Sequence, residues 1–106
     1  MTEEDKKHEL YKKVERCYEI LCKKWMGLII HTLMTEPKRF SEIHVAIPDL
    51  SKRMLNERMK ELEDCGLVLR NVITDRPVRT EYSLTRMGNE LGASLRTVEM
   101  WAKKWL

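Results

Sequence analysis

Residues 40–70, FSEIHVAIPDLSKRMLNERMKELEDCGLVLR, hold two short amphipathic helical patterns separated by a turn. Ser41 is placed to cap a first helix carrying Ile43, Val45, Ala46 and Ile47. Pro48-Asp49 stops it, because proline lacks an amide donor and biases its predecessor away from helical angles. Ser51 is placed to cap the second helix. At about 100° per residue, Ser51, Leu55, Met59 and Leu62 fall within about 40° of one direction, with Arg53, Glu57, Lys60 and Asp64 opposite. One face packs and the other stays free. Gly66 stands where a left-handed residue would end the helix, and Leu67 is the apolar contact behind such a cap. The pattern predicts a helix-turn-helix.

The charges of the second helix run against its dipole. Lys52 and Arg53 occupy the first turn, and Glu61, Glu63 and Asp64 the last, the reverse of what helix stability prefers. A local rule broken without structural gain marks function, and a basic helix N-terminus suits phosphates and base edges in a major groove. The alternative is a solvated face with casual charge placement.

A chain of 106 residues fits one domain, here 1–106, with a modest core. Hydrophobic residues at 42% and charged residues at 35%, with only four glycines and three prolines, predict a soluble, helix-rich fold with short loops. A net charge of +3 is mild, so a nucleic-acid reading must rest on where the basic residues lie. No apolar run approaches the roughly twenty residues of a membrane span, and the acidic start Thr2-Glu3-Glu4-Asp5 is unlike a signal peptide; a cytoplasmic protein with no membrane partner is expected. Three cysteines, an odd number without a C-x-x-C pair, argue against a disulfide framework and against a structural zinc site.

Along the chain, residues 1–7 read as a frayed polar start. Leu10, Val14, Cys17 and Leu21 then recur at helical spacing, with Tyr11 and Tyr18 beside them as cover for a partner. Residues 25–34, WMGLIIHTLM, are apolar nearly all round and form the expected central helix. His31 lies inside that run and is read as a hydrogen-bonded core residue, since neither it nor His44 has a carboxylate or cysteine at ligand spacing. Lys38 and Arg39, just before the helix-turn-helix, are placed to meet a phosphate backbone. After Gly66, LVLRNVI and RTEYSL read as two strands joined by the loop 74–78, a hairpin whose Arg70, Arg76 and Arg79 make it basic against Asp75 and Glu81. Such a hairpin behind a recognition helix is a wing; the alternative is an ordinary surface hairpin. Thr85 is placed to cap a last helix in which Met87, Leu91, Leu95, Val98, Ala102 and Trp105 share one face, with Trp101 at its border. So long a stripe needs cover, either from a second copy or by folding back on its own domain.

Lys24-Trp25 opening an apolar helix, PKRFSEI at 37–43, IPDLSKRML at 47–55, ELEDCGLV at 61–68 and RPVRTEYSLTRMG at 76–88 together resemble the HxlR family of bacterial winged-helix transcription regulators, relatives of MarR-type repressors. The resemblance spans about residues 20–101. It implies a homodimer on a palindromic operator, with the helix from Ser51 as reader, the hairpin as wing, and the first and last helices as the dimer contact. Two departures stand out. Cys22-Lys23 occupies the family's usual Gly-Gly, which predicts a stiffer junction between the first two helices. Lys12-Lys13 occupies the N-terminal Cys-Pro that serves many members as thiol sensor.

The expected fold is therefore mostly α with a small β-hairpin, a winged helix-turn-helix whose dimer is built from its N- and C-terminal helices. The expected function is sequence-specific double-stranded DNA binding in transcription regulation, as a repressor and without covalent chemistry. No Gly-rich phosphate loop, paired apolar carboxylates or cysteine-histidine signature suggests an enzyme; no metal or cofactor is expected. The competing reading is a winged helix used only for protein interaction. DNA contacts are assigned to Lys38, Arg39, Ser51, Lys52, Arg53, Asn56, Lys60, Arg76 and Arg79, with Arg53 and Asn56 suited to guanine and adenine edges. Dimer contacts are assigned to Leu10, Tyr11, Val14, Tyr18, Leu91, Leu95, Val98, Trp101 and Trp105. Among the thiols, Cys17 is expected in the core stripe, and Cys65 at the negative end of its helix is expected to oxidise slowly. Cys22, about 140° round the helix from Cys17 and followed by two lysines, is the candidate redox thiol. With the Cys-Pro missing, a small-molecule inducer near the dimer helices is the expected signal in place of oxidation.

Overall fold

The second helix of the motif forms as its local signals require. Helix α4, Lys52–Asp64, begins where the Ser51 hydroxyl accepts the Met54 amide at 3.1 Å. It ends in a Schellman arrangement. Gly66 takes φ +79°, its amide bonds the Glu63 carbonyl at 3.0 Å, and the Leu67 amide bonds the Leu62 carbonyl at 2.9 Å. Leu55, Met59 and Leu62 are buried, while Arg53, Glu57, Lys60 and Asp64 on the opposite face are exposed.

The computed structural model describes all 106 residues. In chain order the other elements are α1 Glu3–Leu21, α2 Met26–Leu33, β1 Lys38–Arg39, α3 Phe40–Ala46, β2 Val68–Ile73, β3 Arg79–Leu84 and α5 Arg86–Trp105. The core joins α2 (Met26, Ile29, Ile30, Leu33) to Ile43 and Ile47 of the α3 region, Leu50, the α4 face, Leu67, Val68 and Tyr82. The near-uniform apolarity of α2 thus matches its central place, although Leu28 is exposed. No helix is long and apolar enough to cross a membrane.

The wing is a three-stranded antiparallel sheet, order β1-β3-β2, and not a hairpin alone. Strands β2 and β3 pair from Val68 opposite Leu84 to Ile73 opposite Arg79, leaving 74–78 as the tip. Lys38 and Arg39 pair with Tyr82 and Glu81. That pairing also moves the start of α3. Its N-cap is Arg39, whose amide donates to the Glu42 carboxylate at 2.9 Å, and Ser41 is an exposed first-turn residue instead of the cap.

Three further expectations are corrected. The N-terminus is helical from Glu3, because Thr2 and Asp5 form a capping box and three acidic residues in the first turn complement the positive end of the helix dipole. Cys17 is exposed, since α1 buries no residue at all in the protomer and its apolar stripe faces outward. His31 is also exposed; it sits on the outer side of α2 with its Nδ1 2.9 Å from Glu99 of α5.

The α1–α2 junction turns on Trp25, the N-cap of α2, at φ +80°. A left-handed tryptophan costs on the order of 1–3 kcal/mol and persists only where its surroundings hold it. Trp25 packs against the core, and the Lys24 ammonium lies 4.8 Å from its ring centroid. Cys22 has φ −83°, and neither it nor Lys23 adopts the positive φ for which glycine is suited.

Helix α5 starts where Thr85 accepts the Gly88 amide at 3.1 Å and donates to the Gly66 carbonyl at 2.6 Å, tying it to the end of α4. A Cβ on Gly88 would overlap the Leu67 carbonyl oxygen, and one on Gly92 would overlap the Met34 sulfur. These glycines let α5 lie close on the domain.

Candidate nucleic-acid interface

Packing selects which side of α4 is left free. With Leu55, Met59 and Leu62 turned into the core, Lys52, Arg53, Asn56 and Lys60 stand exposed along the N-terminal and middle turns. The Arg53 side chain is 92% exposed, with only the Glu57 carboxylate near it at 3.9 Å. The first turn of α4 carries no acidic residue, so its positive end and its two cations act together on an anion. Ser51 is exposed at the same end, its hydroxyl already serving as the cap.

The basic residues outside α4 divide into two groups. Arg39, Arg70 and Arg76 are exposed, and no ion pair engages them. Lys38 is 17% exposed with its ammonium 3.3 Å from Glu36, and Arg79 is half-buried with Nε 3.1 Å from Glu81. The latter pair carries charge beside the free cations but is held by its own acids.

The proposed dimer residues also divide. Leu10, Tyr11, Val14 and Tyr18 are exposed along α1. In α5, Leu91 and Leu95 pack partly against the core of their own chain, while Val98, Trp101 and Trp105 remain open. Of the α5 stripe, Leu91 and Leu95 thus serve their own domain, while Met87 before them and Val98, Trp101 and Trp105 after them face outward. Between α2 and α5 lies a groove of about 440 Å³, walled by Leu28, Leu95 and Val98 with His31, Glu99 and Lys103 at its edges.

All three thiols are free. Cys22 is exposed at the C-cap of α1, but its cationic neighbours point elsewhere: Lys23 bonds Glu61 at 3.1 Å and Lys24 lies over Trp25. Cys65 is half-buried against the core.

Sequence reasoning missed Arg58. Its Nε donates to the Lys24 carbonyl at 2.9 Å and its guanidinium meets Glu61 at 3.1 Å, tying α4 to the α1–α2 junction. The available signal was an arginine flanked by the packed Leu55 and Met59, with a carboxylate three residues on.

Residues 20–106 match the HxlR-like helix-turn-helix family. YvaP, an uncharacterised helix-turn-helix-type transcriptional regulator of Bacillus subtilis strain 168, is 46% identical over 98 residues, covering 92% of this chain and 91% of its own. The helix-turn-helix-type transcriptional regulator YodB of the same organism is 45% identical over 93 residues, covering 88% and 83%. The solved reduced form of YodB is similar at a TM-score of 0.80 over 88% of this chain and 91% of that one, and diamide-treated and quinone-bound forms reach 0.75 and 0.76. A MarR-family protein of Porphyromonas gingivalis W83 reaches 0.82 at 30% identity, over 88% and 91% of the two chains.

Proposed function

The chain belongs to the HxlR-like helix-turn-helix family, and from that premise we propose that it is a repressor binding a palindromic double-stranded operator as a homodimer. The family and its relatives are transcriptional regulators and not enzymes. The observation that carries the proposal is the free face of α4, which offers Lys52, Arg53, Asn56 and Lys60 from a helix whose other face is wholly committed to the core. In this reading Arg53 and Asn56 reach base edges in the major groove. Lys38, Arg39, Ser51, Lys52, Lys60, Arg76 and Arg79 serve phosphates, with Lys38 and Arg79 weakened by their carboxylate partners. Residues 1–106 act as one winged helix-turn-helix unit in the cytoplasm. The stripe of α1 and the open end of α5, Leu10, Tyr11, Val14, Tyr18, Val98, Trp101 and Trp105, meet the second copy, with Leu91 and Leu95 supporting them from beneath.

The test is selection of bound duplexes from a random pool with the purified protein, followed by affinity against salt. A selected palindrome is expected, with affinity falling about a thousandfold or more between roughly 50 and 200 mM salt for six or more phosphate contacts. No enriched sequence and a shallow salt slope would favour the protein-interaction module instead.

The signal we assign is a small-molecule inducer near the dimer helices, where the α2–α5 groove is large enough for one. The similarity to YodB, whose solved structures include diamide-treated and quinone-bound forms, supports a second reading in which the exposed Cys22 answers oxidants or electrophiles. Operator binding before and after mild disulfide-forming oxidant, in wild type and Cys22→Ser, separates them. Reversible release in wild type rejects the oxidant-insensitive reading, and release that persists in Cys22→Ser rejects Cys22 as the sensor.

A further inference from the structure

Helix α1 buries little against the rest of the protomer: only Ile20 and Leu21, at its end, are half-buried, and Ile20 alone of this helix packs against the core. Its direction relative to α4 is therefore decided at the junction 22–25. There the positive φ of Trp25 turns the preceding peptide aside from the α2 axis, and the Lys24 carbonyl accepts Nε–H of Arg58 at 2.9 Å. The same guanidinium donates to Oε1 of Glu61 at 3.1 Å, while Oε2 of Glu61 accepts from the Lys23 ammonium at 3.1 Å. One arginine and one carboxylate of α4 thus grip two consecutive residues of the junction. Arg58 is itself only 14% exposed and points about 140° round the helix from Arg53, so it does not face the surface that carries the DNA contacts.

We propose that Arg58 is a positioning residue for operator recognition: its bonds to the Lys24 carbonyl and Glu61, with Glu61 held in turn by Lys23, set the angle between α4 and the α1 arm and so the separation of the two reading helices. This rests on the dimeric DNA-binding reading above. The leverage is large. A 19-residue helix is about 28 Å long, so a change of about 10° at the junction moves its far end by about 5 Å, more than the 3.4 Å rise of one base pair. A planar fork with two fixed bonds resists such a change in a way that one flexible ammonium does not.

The experiment measures affinity of wild type, Arg58→Met, Arg58→Lys and Lys23→Met for the selected palindrome with its half-site spacing changed in single base-pair steps, alongside sedimentation and thermal melting of each variant. Wild type is expected to prefer one spacing by about tenfold or more over duplexes two base pairs longer or shorter. Arg58→Met is expected to lose that preference to less than about threefold while staying dimeric, with Arg58→Lys recovering part of it. A merely structural role for Arg58 would lower affinity equally at every spacing and leave the optimum unchanged; that result overturns the proposal. Should Arg58→Met fail to fold, Lys23→Met decides, since it opens the outer end of the clasp without touching the packed face; an unaltered spacing profile there also overturns it. Wild type that binds no duplex rejects the DNA reading and the positioning role together. Wild type that binds as a monomer rejects the dimer, and with it the separation that Arg58 is said to set.

Discussion

The free face of α4 distinguishes its residues by what they touch. Arg53, almost wholly exposed and loosely paired with Glu57, has the reach for a guanine edge, so Arg53→Ala should cost about 1–3 kcal/mol on the operator with little change on random DNA. Arg76, at the hairpin tip, should act through phosphate: Arg76→Ala weakens both and lowers the salt slope by about one. Competition titrations check both, and equal losses on operator and random DNA would remove Arg53 as a base reader. A second residue-scale effect lies at the other end of the chain. The Thr2 hydroxyl, and then the Thr2 amide, hold the Asp5 carboxyl below the usual carboxylate range. A lowered folded-state value means that the contribution is present above the ordinary carboxylate value and lost as pH falls through the lowered one. Protection of the amides at the start of α1, taken relative to their intrinsic exchange at each pH, should therefore fall on acidification through that window, and Asp5→Asn should remove the dependence.

At the scale of elements, local signals were the legible ones. Ser51 and Gly66 bound α4, and Thr85 starts α5, because a cap is made by residues close in sequence. Strand β1 was not legible, because a two-residue strand has no pattern of its own and exists only through Tyr82 and Glu81 far along the chain. Ser41 was misread as a cap for the same reason. Cys17 and His31 were misread because an apolar stripe in sequence does not say whether its cover comes from the same chain. The tie from Arg58 to the α1–α2 junction escaped notice because its partner there, Lys24, offers a backbone carbonyl. The α4–α5 connection carries an element-scale prediction: Gly88→Ala would press a methyl group on the Leu67 carbonyl at the first turn of α5. It should destabilise the fold by about 1–3 kcal/mol in thermal or urea unfolding, whereas an unchanged melting curve would mean that α5 shifts freely.

The shape of the whole molecule fits the second copy proposed above. The protomer measures 57 × 36 × 23 Å and its radius of gyration is 16.1 Å, against about 13 Å for a compact chain of this length. The excess accompanies α1, a helix with no buried residue and an exposed row of Leu10, Tyr11, Val14 and Tyr18. An isolated helix of that composition is marginal in water and gains its stability from packing. Replacing Val98 and Trp105 together by aspartate should yield a monomer by sedimentation with α1 partly melted by circular dichroism; a dimer that survives would place the contact elsewhere. The most direct test of a paired reader is the affinity of wild type for the selected palindrome beside the same duplex with one half-site scrambled. Two reading helices acting together predict a loss of about a hundredfold or more, toward non-specific binding, and equal affinity for both duplexes would contradict the account.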